Sequence, residues 1–177
     1  MRTGLLYRFE TAVRGMTPFL TTLFLAMLTV VPLRIPDFAP VTPSLTVIAV
    51  YYWSIYRPDL LPMVAVFGIG LFQDALTGTP LGLTALVLII VQYAVLSQRR
   101  FFHSKTFLVE WWGFMLVAPV AAFASWLLAS LYFAALVAPR PLGFQLLLSV
   151  ALYPCLVWLL TRIQHLLLRS GCYRYAA

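Results

Sequence analysis

Residues 60–97 read LLPMVAVFGIGLFQDALTGTPLGLTALVLIIVQYAVLS, and they hold a single charged side chain, Asp74. Two apolar runs flank a short break at Thr77-Gly78-Thr79-Pro80. Within each run the apolar residues are continuous rather than alternating at every second position, so the runs read as helices and not as barrel strands. Glycine and proline together mark the break as a tight reversal. In lipid the backbone must satisfy its own hydrogen bonds, which a helix does within one segment.

The rest of the chain follows the same pattern. Of its 177 residues, 63% are hydrophobic and 10% charged, and the mean hydropathy is +0.95. A soluble domain carries about a quarter charged residues and about half apolar ones. That much hydrocarbon cannot be hidden inside 19.9 kDa and must face lipid. The expected fold is all-α: a polytopic bundle of six transmembrane helices forming one integral membrane domain over residues 1–177. The spans fall at approximately 17–33, 43–56, 60–75, 81–97, 107–137 and 142–168. The stretch 107–137 exceeds the roughly 20 residues a bilayer needs, so it is expected to tilt, to kink near Pro119 or to lie partly at the interface. Tyr51, Tyr52, Trp53 and Tyr56 end the second span as an aromatic belt.

Residues 1–16 are read as cytoplasmic, either a short interfacial helix carrying Leu5, Leu6, Phe9, Ala12 and Val13 on one stripe or a disordered tail. The first apolar run begins after Met16 and reaches Pro36 without a small-residue cleavage site, which reads as an uncleaved span rather than a signal peptide.

The net charge is +7. In a soluble protein such an excess invites a nucleic-acid reading, but here the basic residues lie between and outside apolar segments. With six spans, ten of the twelve Lys and Arg residues fall on the side of the two termini. Only Arg34 and Arg140 fall opposite. Basic residues stay on the cytoplasmic side, so both termini are expected there, in a bacterial inner membrane, with lipid rather than nucleic acid as the surroundings. The longest polar links are about nine residues, too short to form a separate folded unit.

Few residues could carry chemistry. His103 and His165 are isolated, and Cys155 and Cys172 lie 17 positions apart, roughly 25 Å along a helix, which argues against a disulfide. No metal cluster, phosphate-binding loop or Ser–His–Asp set is discernible, so neither an enzyme nor a cofactor is expected. The span serines Ser54, Ser125, Ser130 and Ser149 read as helix–helix hydrogen-bonding groups, and Trp111-Trp112 as an interfacial anchor.

Five carboxylates exist, and Glu10, Asp37, Asp59 and Glu110 read as solvated charges at interfaces or in links. Asp74 differs, because counting from Leu60 it sits roughly 21 Å up a helix, where an ionised group needs a partner. Gly70 lies one turn before it on the same face, and a glycine there allows close approach of another helix. Gly78, Pro80 and Gly82 reverse the chain. Asp74 therefore either caps the broken backbone of this turn, contacts a partner, or relays protons.

The stretch Gly68–Leu86 resembles the signature of the MreD family of rod shape-determining membrane proteins: a glycine, an Asp, a small turn, then Pro-Leu-Gly-x-x-Ala-Leu. The matching positions are Gly70, Asp74, Leu76, Gly78, Pro80, Leu81, Gly82, Ala85 and Leu86. Upstream, Pro43-Ser44-Leu45 and Arg57-Pro58 are similar to the family's second span. The resemblance implies a non-enzymatic scaffold of the cell-elongation (Rod) complex, with MreC as a direct partner. RodA, a penicillin-binding transpeptidase and MreB would belong to the same assembly. It makes Gly70, Asp74, Gly78, Pro80, Leu81 and Gly82 candidates for a partner interface or for structure. In fold the family also resembles the substrate-binding membrane components of vitamin importers. The alternative function is therefore small-molecule capture for an ATP-driven importer, weakened by few convergent polar groups at the outer ends of the spans.

Overall fold

Prolines and a glycine set the limits of the second and third helices. The computed structural model describes the backbone of residues 3–30, 43–102, 107–133 and 140–172, and the side chains of 16–30, 43–98, 109–132 and 143–164. Among the described residues six α-helices run in order: α1 (Thr3–Val30), α2 (Leu45–Tyr56), α3 (Met63–Thr77), α4 (Leu83–Phe102), α5 (Phe107–Phe133) and α6 (Arg140–Cys172). The described residues contain no strand. The link at 34–42, the basic residues Arg99, Arg100 and Lys105, and the two histidines fall outside the described side chains.

Helix α2 stops at Tyr56 because Arg57 precedes a proline and is pushed out of the helical region, to φ −146° and ψ 64°. Pro58–Leu60 then forms a single 3-10 turn. The third helix accordingly starts at Met63, after an extended Pro62, and not at Leu60 as the hydropathy alone predicts. Its end is a left-handed Gly78 at φ 68°. Helix α1 departs from expectation in the other direction. Its backbone is continuous from Thr3 through Pro18, where a separate interfacial helix or tail was expected. An internal proline removes one backbone donor and is tolerated in membrane helices, as again at Pro119 in α5 and Pro154 in α6. The helical backbone of α6 also runs past Leu168 to Cys172, through Gly171.

Helix α2 lies at the centre and packs against α1, α4, α5 and α6. Ile48 through Ile55 are buried without exception. Tyr51, Tyr52 and Trp53 therefore form core, with exposures of 0, 1 and 2%, and the predicted aromatic belt survives only at Tyr56. Their polar atoms are held across helices: Tyr52 Oη donates to Gln164 Oε1 at 2.8 Å, and Trp53 Nε1 to Thr21 Oγ1 at 3.1 Å. Edge-on contacts of Tyr51 with Phe114 and Tyr153 tie α2 to α5 and α6.

The outer surface is inverted relative to a soluble protein. Trp112, Leu116, Val120, Phe123, Leu127 and Leu131 recur at helical spacing on α5, and all are exposed. Val109–Tyr132 and Gly143–Gln164 are long and apolar enough to cross a membrane, and no more than 28% of either apolar stretch is buried within the chain. The remaining apolar helices are shorter, and α2, at 12 residues, covers roughly 18 Å.

Candidate functional site

The reversal between α3 and α4 is built around one carboxylate. Asp74 is fully buried, in the last turn of α3, where the helix dipole disfavours a negative charge. What holds it is the start of α4. Asp74 Oδ2 accepts the Gly82 N–H at 2.9 Å, the Thr84 N–H reaches Oδ1 and Oδ2 at 3.1 and 3.2 Å, and Thr79 Oγ1 donates to Oδ1 at 3.0 Å. Those amides are among the orphan donors that every helix start leaves. Asp74 thus caps α4 from the neighbouring helix, and the favourable dipole there offsets the unfavourable one behind it. Because α3 starts at Met63, Asp74 stands about 16 Å along its helix, a turn less than the count from Leu60 implies.

The glycines have distinct tasks. Gly78 and Gly82 adopt positive φ, 68° and 98°, which an L side chain resists. Gly70 faces Ala85 so closely that a Cβ would sit 2.7 Å from the Ala85 nitrogen. Its neighbour Gly68 opens onto free space. Of the sequence candidates, Gly70 therefore sets the α3–α4 spacing, Asp74 and Gly82 bond directly, and Gly78, Pro80 and Leu81 shape the turn.

That turn is one wall of an open groove of about 1040 Å³, whose opposite wall is Leu128, Leu131 and Tyr132 of α5. Leu81 and Leu131 line it at 74 and 77% exposure.

Two features escaped the sequence reading. Glu110 is no solvated charge, being only 5% exposed in the first turn of α5. Tyr56 Oη donates to its two carboxylate oxygens at 2.9 and 3.1 Å, and Tyr51 Oη donates to its backbone carbonyl at 2.9 Å. The reasoning that singled out Asp74, an ionisable group inside an apolar run, applies equally to Glu110 in Phe107–Trp112. The second feature is a cavity of about 170 Å³ where all six helices meet, lined by hydroxyl and amide side chains that include Gln73, Thr46, Thr84 and Ser125. Polar groups thus do converge in the bundle, where the sequence suggested few. They come from six helices, one or two from each, so no local motif reveals them.

The span serines divide. Ser149 Oγ accepts the Ser44 N–H at 3.0 Å and so joins α6 to the start of α2, whereas Ser125 bonds within its own helix. Ser54 and Ser130 hydroxyls are buried without a partner. The tryptophan pair divides: Trp112 is 70% exposed, whereas Trp111 is half-buried against the core with its indole N–H unpartnered. Among the described residues no three His, Cys, Asp or Glu side chains group to hold a metal ion.

The family model described as rod shape-determining protein MreD matches residues 10–163. No curated protein and no solved structure matches the chain.

Proposed function

The chain belongs to the MreD family of rod shape-determining proteins, and we propose that it acts as a non-enzymatic scaffold docking a partner span in the groove beside the Asp74-held turn. Family membership makes it a membrane protein with a role in rod shape determination, associated with the rod shape-determining complex. The proposal adds a single membrane domain over 1–177, six spans and cytoplasmic termini in the bacterial inner membrane. The ten-to-two distribution of basic residues supports that topology. So does the 170 Å³ cavity, which gathers the ends of α1 and α3 with the starts of α2, α4 and α6, as alternating helices require.

One observation carries the docking reading: apolar side chains at about three-quarters exposure, Leu81 and Leu131, face each other across a groove whose turn is rigidly clamped. A clamped turn presents its surface without an ordering cost on binding. MreC is the proposed direct occupant, with RodA, the penicillin-binding transpeptidase and MreB in the same assembly. The importer alternative draws no support from the family match.

The test places single cysteines at Leu81 and Leu131, with a control at Val64, which is 81% exposed on α3, in a chain lacking Cys155 and Cys172. Cross-linking in native membranes is expected to capture MreC from the two groove positions and not from Val64. Capture of MreC from Val64 alone, with all three proteins equally abundant, would remove the groove from consideration. Asp74→Ala and Pro80→Ala are expected to leave insertion intact and to weaken elongation.

A further inference from the structure

The cavity at the junction of the six helices is built unlike a packing defect. A void left by imperfect packing in a membrane bundle is lined by hydrocarbon and stays dry. Here Thr29, Thr46, Gln73, Thr84, Ser125 and Gln145 contribute hydroxyl or amide groups to the lining, alongside apolar walls that include Val87, Leu88 and Phe114. Several of these groups are held in place. Gln145 Nε2 donates to Ser44 Oγ at 2.8 Å, and Thr29 and Thr46 hydroxyls meet at 3.4 Å. Gln73 is the exception. It is 8% exposed, hence more than nine-tenths buried, it lines the cavity, and its carboxamide oxygen has no hydrogen-bond partner. A buried amide without a partner is costly, and a leucine of similar size would remove the cost. The residue next along the chain, Asp74, has every such demand met.

We propose that this cavity binds a small uncharged polyol, with the Gln73 carboxamide as its principal hydrogen-bonding group and the Thr46 and Thr84 hydroxyls alongside it. The chemistry follows from the lining. No charged side chain lines the cavity among the described residues, so an ion would be buried without a countercharge. Hydroxyls and amides donate and accept, which matches ligand O–H groups, while Val87 and Phe114 face C–H surface. The volume resembles that of an engineered cavity of about 150 Å³ that holds benzene, so the ligand, or the part that enters, has on the order of six to nine non-hydrogen atoms. That moiety is either a free solute or the neutral polyol head of a lipid. The site is separate from the groove at Leu81 and Leu131 and does not depend on the docking role.

The test uses the purified full-length chain in mild detergent. Thermal unfolding is followed while glycerol and erythritol are titrated at millimolar concentrations, with sucrose, too large to enter, as the control for general stabilisation by excluded solutes. Native mass spectrometry of the same preparation, extracted directly from membranes, reports any co-purified lipid. Two variants accompany the wild type: Gln73→Leu, and Ala121→Leu, which fills the cavity. The expected result is a saturable rise in midpoint with one of the small polyols, or a retained neutral-headed lipid. Either is expected to be weakened about tenfold or more in Gln73→Leu and abolished in Ala121→Leu, while both variants unfold cooperatively. A free-polyol response without a lipid adduct identifies a solute site, and an adduct that blocks the response identifies the lipid. Shifts no larger than those of sucrose together with no adduct, or binding unchanged in both variants, would overturn the proposal.

Discussion

Replacing Asp74 by alanine tests whether one carboxylate holds α3 and α4 together. The change strips the acceptor from the Gly82 and Thr84 amides, which lie at 2.9 and 3.1 Å from it. Each buried donor left without a partner costs about 1–3 kcal/mol, and lost helix caps cost about 0.5–2 kcal/mol. The Thr79 hydroxyl loses less, since Thr77 Oγ1 already stands 2.9 Å away as a substitute. Side-chain hydrogen bonds in membrane proteins average only about 0.6 kcal/mol, so the amides dominate the sum. Asp74→Ala is expected to cost about 3 kcal/mol. Asp74→Asn keeps Oδ1 for Thr84 but turns a donor toward Gly82, and is expected to cost about 1–2 kcal/mol. Titration of the folded chain with a denaturing detergent, read by tryptophan fluorescence from its five tryptophans, measures both. A loss under about 0.5 kcal/mol for alanine, or equal losses for both variants, would refute the capping account.

Other expectations are as specific. Gly70→Ala drives a methyl group into the Ala85 backbone and should cost about 1–3 kcal/mol, whereas Gly68→Ala meets nothing and should be neutral or stabilising by up to about 1 kcal/mol. The same detergent titration compares the pair, and an inverted ranking would mean that the α3–α4 spacing is misassigned. Gly78→Ala forces an L side chain to φ 68° and is expected to cost about 1–2 kcal/mol, visible as a lower thermal midpoint. Tyr56→Phe leaves the buried Glu110 carboxylate without its donor. A loss of about 1–2 kcal/mol that shrinks in a Glu110→Gln background, measured as a double-mutant cycle, is the expected signature.

The limits of α2 and α3 were legible in the sequence because they carry their own signals: Pro58 behind α2, Gly78 behind α3, Pro62 ahead of it. Hydropathy alone misplaced the start of α3, since Leu60 and Leu61 are apolar yet serve the 3-10 turn and its exit. Asp74 was legible as a residue in need of a partner, and the turn that supplies its donors lies within ten positions of it. Glu110 stands equally inside an apolar run, but its donor Tyr56 lies 54 positions away, so the sequence does not reveal the partner. The same holds for the aromatic end of α2. A tyrosine cluster beside a polar turn reads as an interface until α5 and α6 cover it, and composition cannot reveal which helices pack there.

The enclosed position of α2 has a consequence for how the chain is made. Its tyrosine hydroxyls are satisfied by residues that the ribosome delivers much later. Tyr51 waits for Glu110, and Tyr52 waits for Thr161 and Gln164, 109 and 112 positions downstream. At 12 residues it is also shorter than the roughly 20 that insertion as an independent span demands. Helix α2 is therefore expected to stay a provisional segment during synthesis, its Tyr52 hydroxyl uncovered until α6 packs against it. The polar core around α2 is complete only once α6 is in place, so a chain lacking α6 displays the tyrosine hydroxyls that the folded bundle conceals.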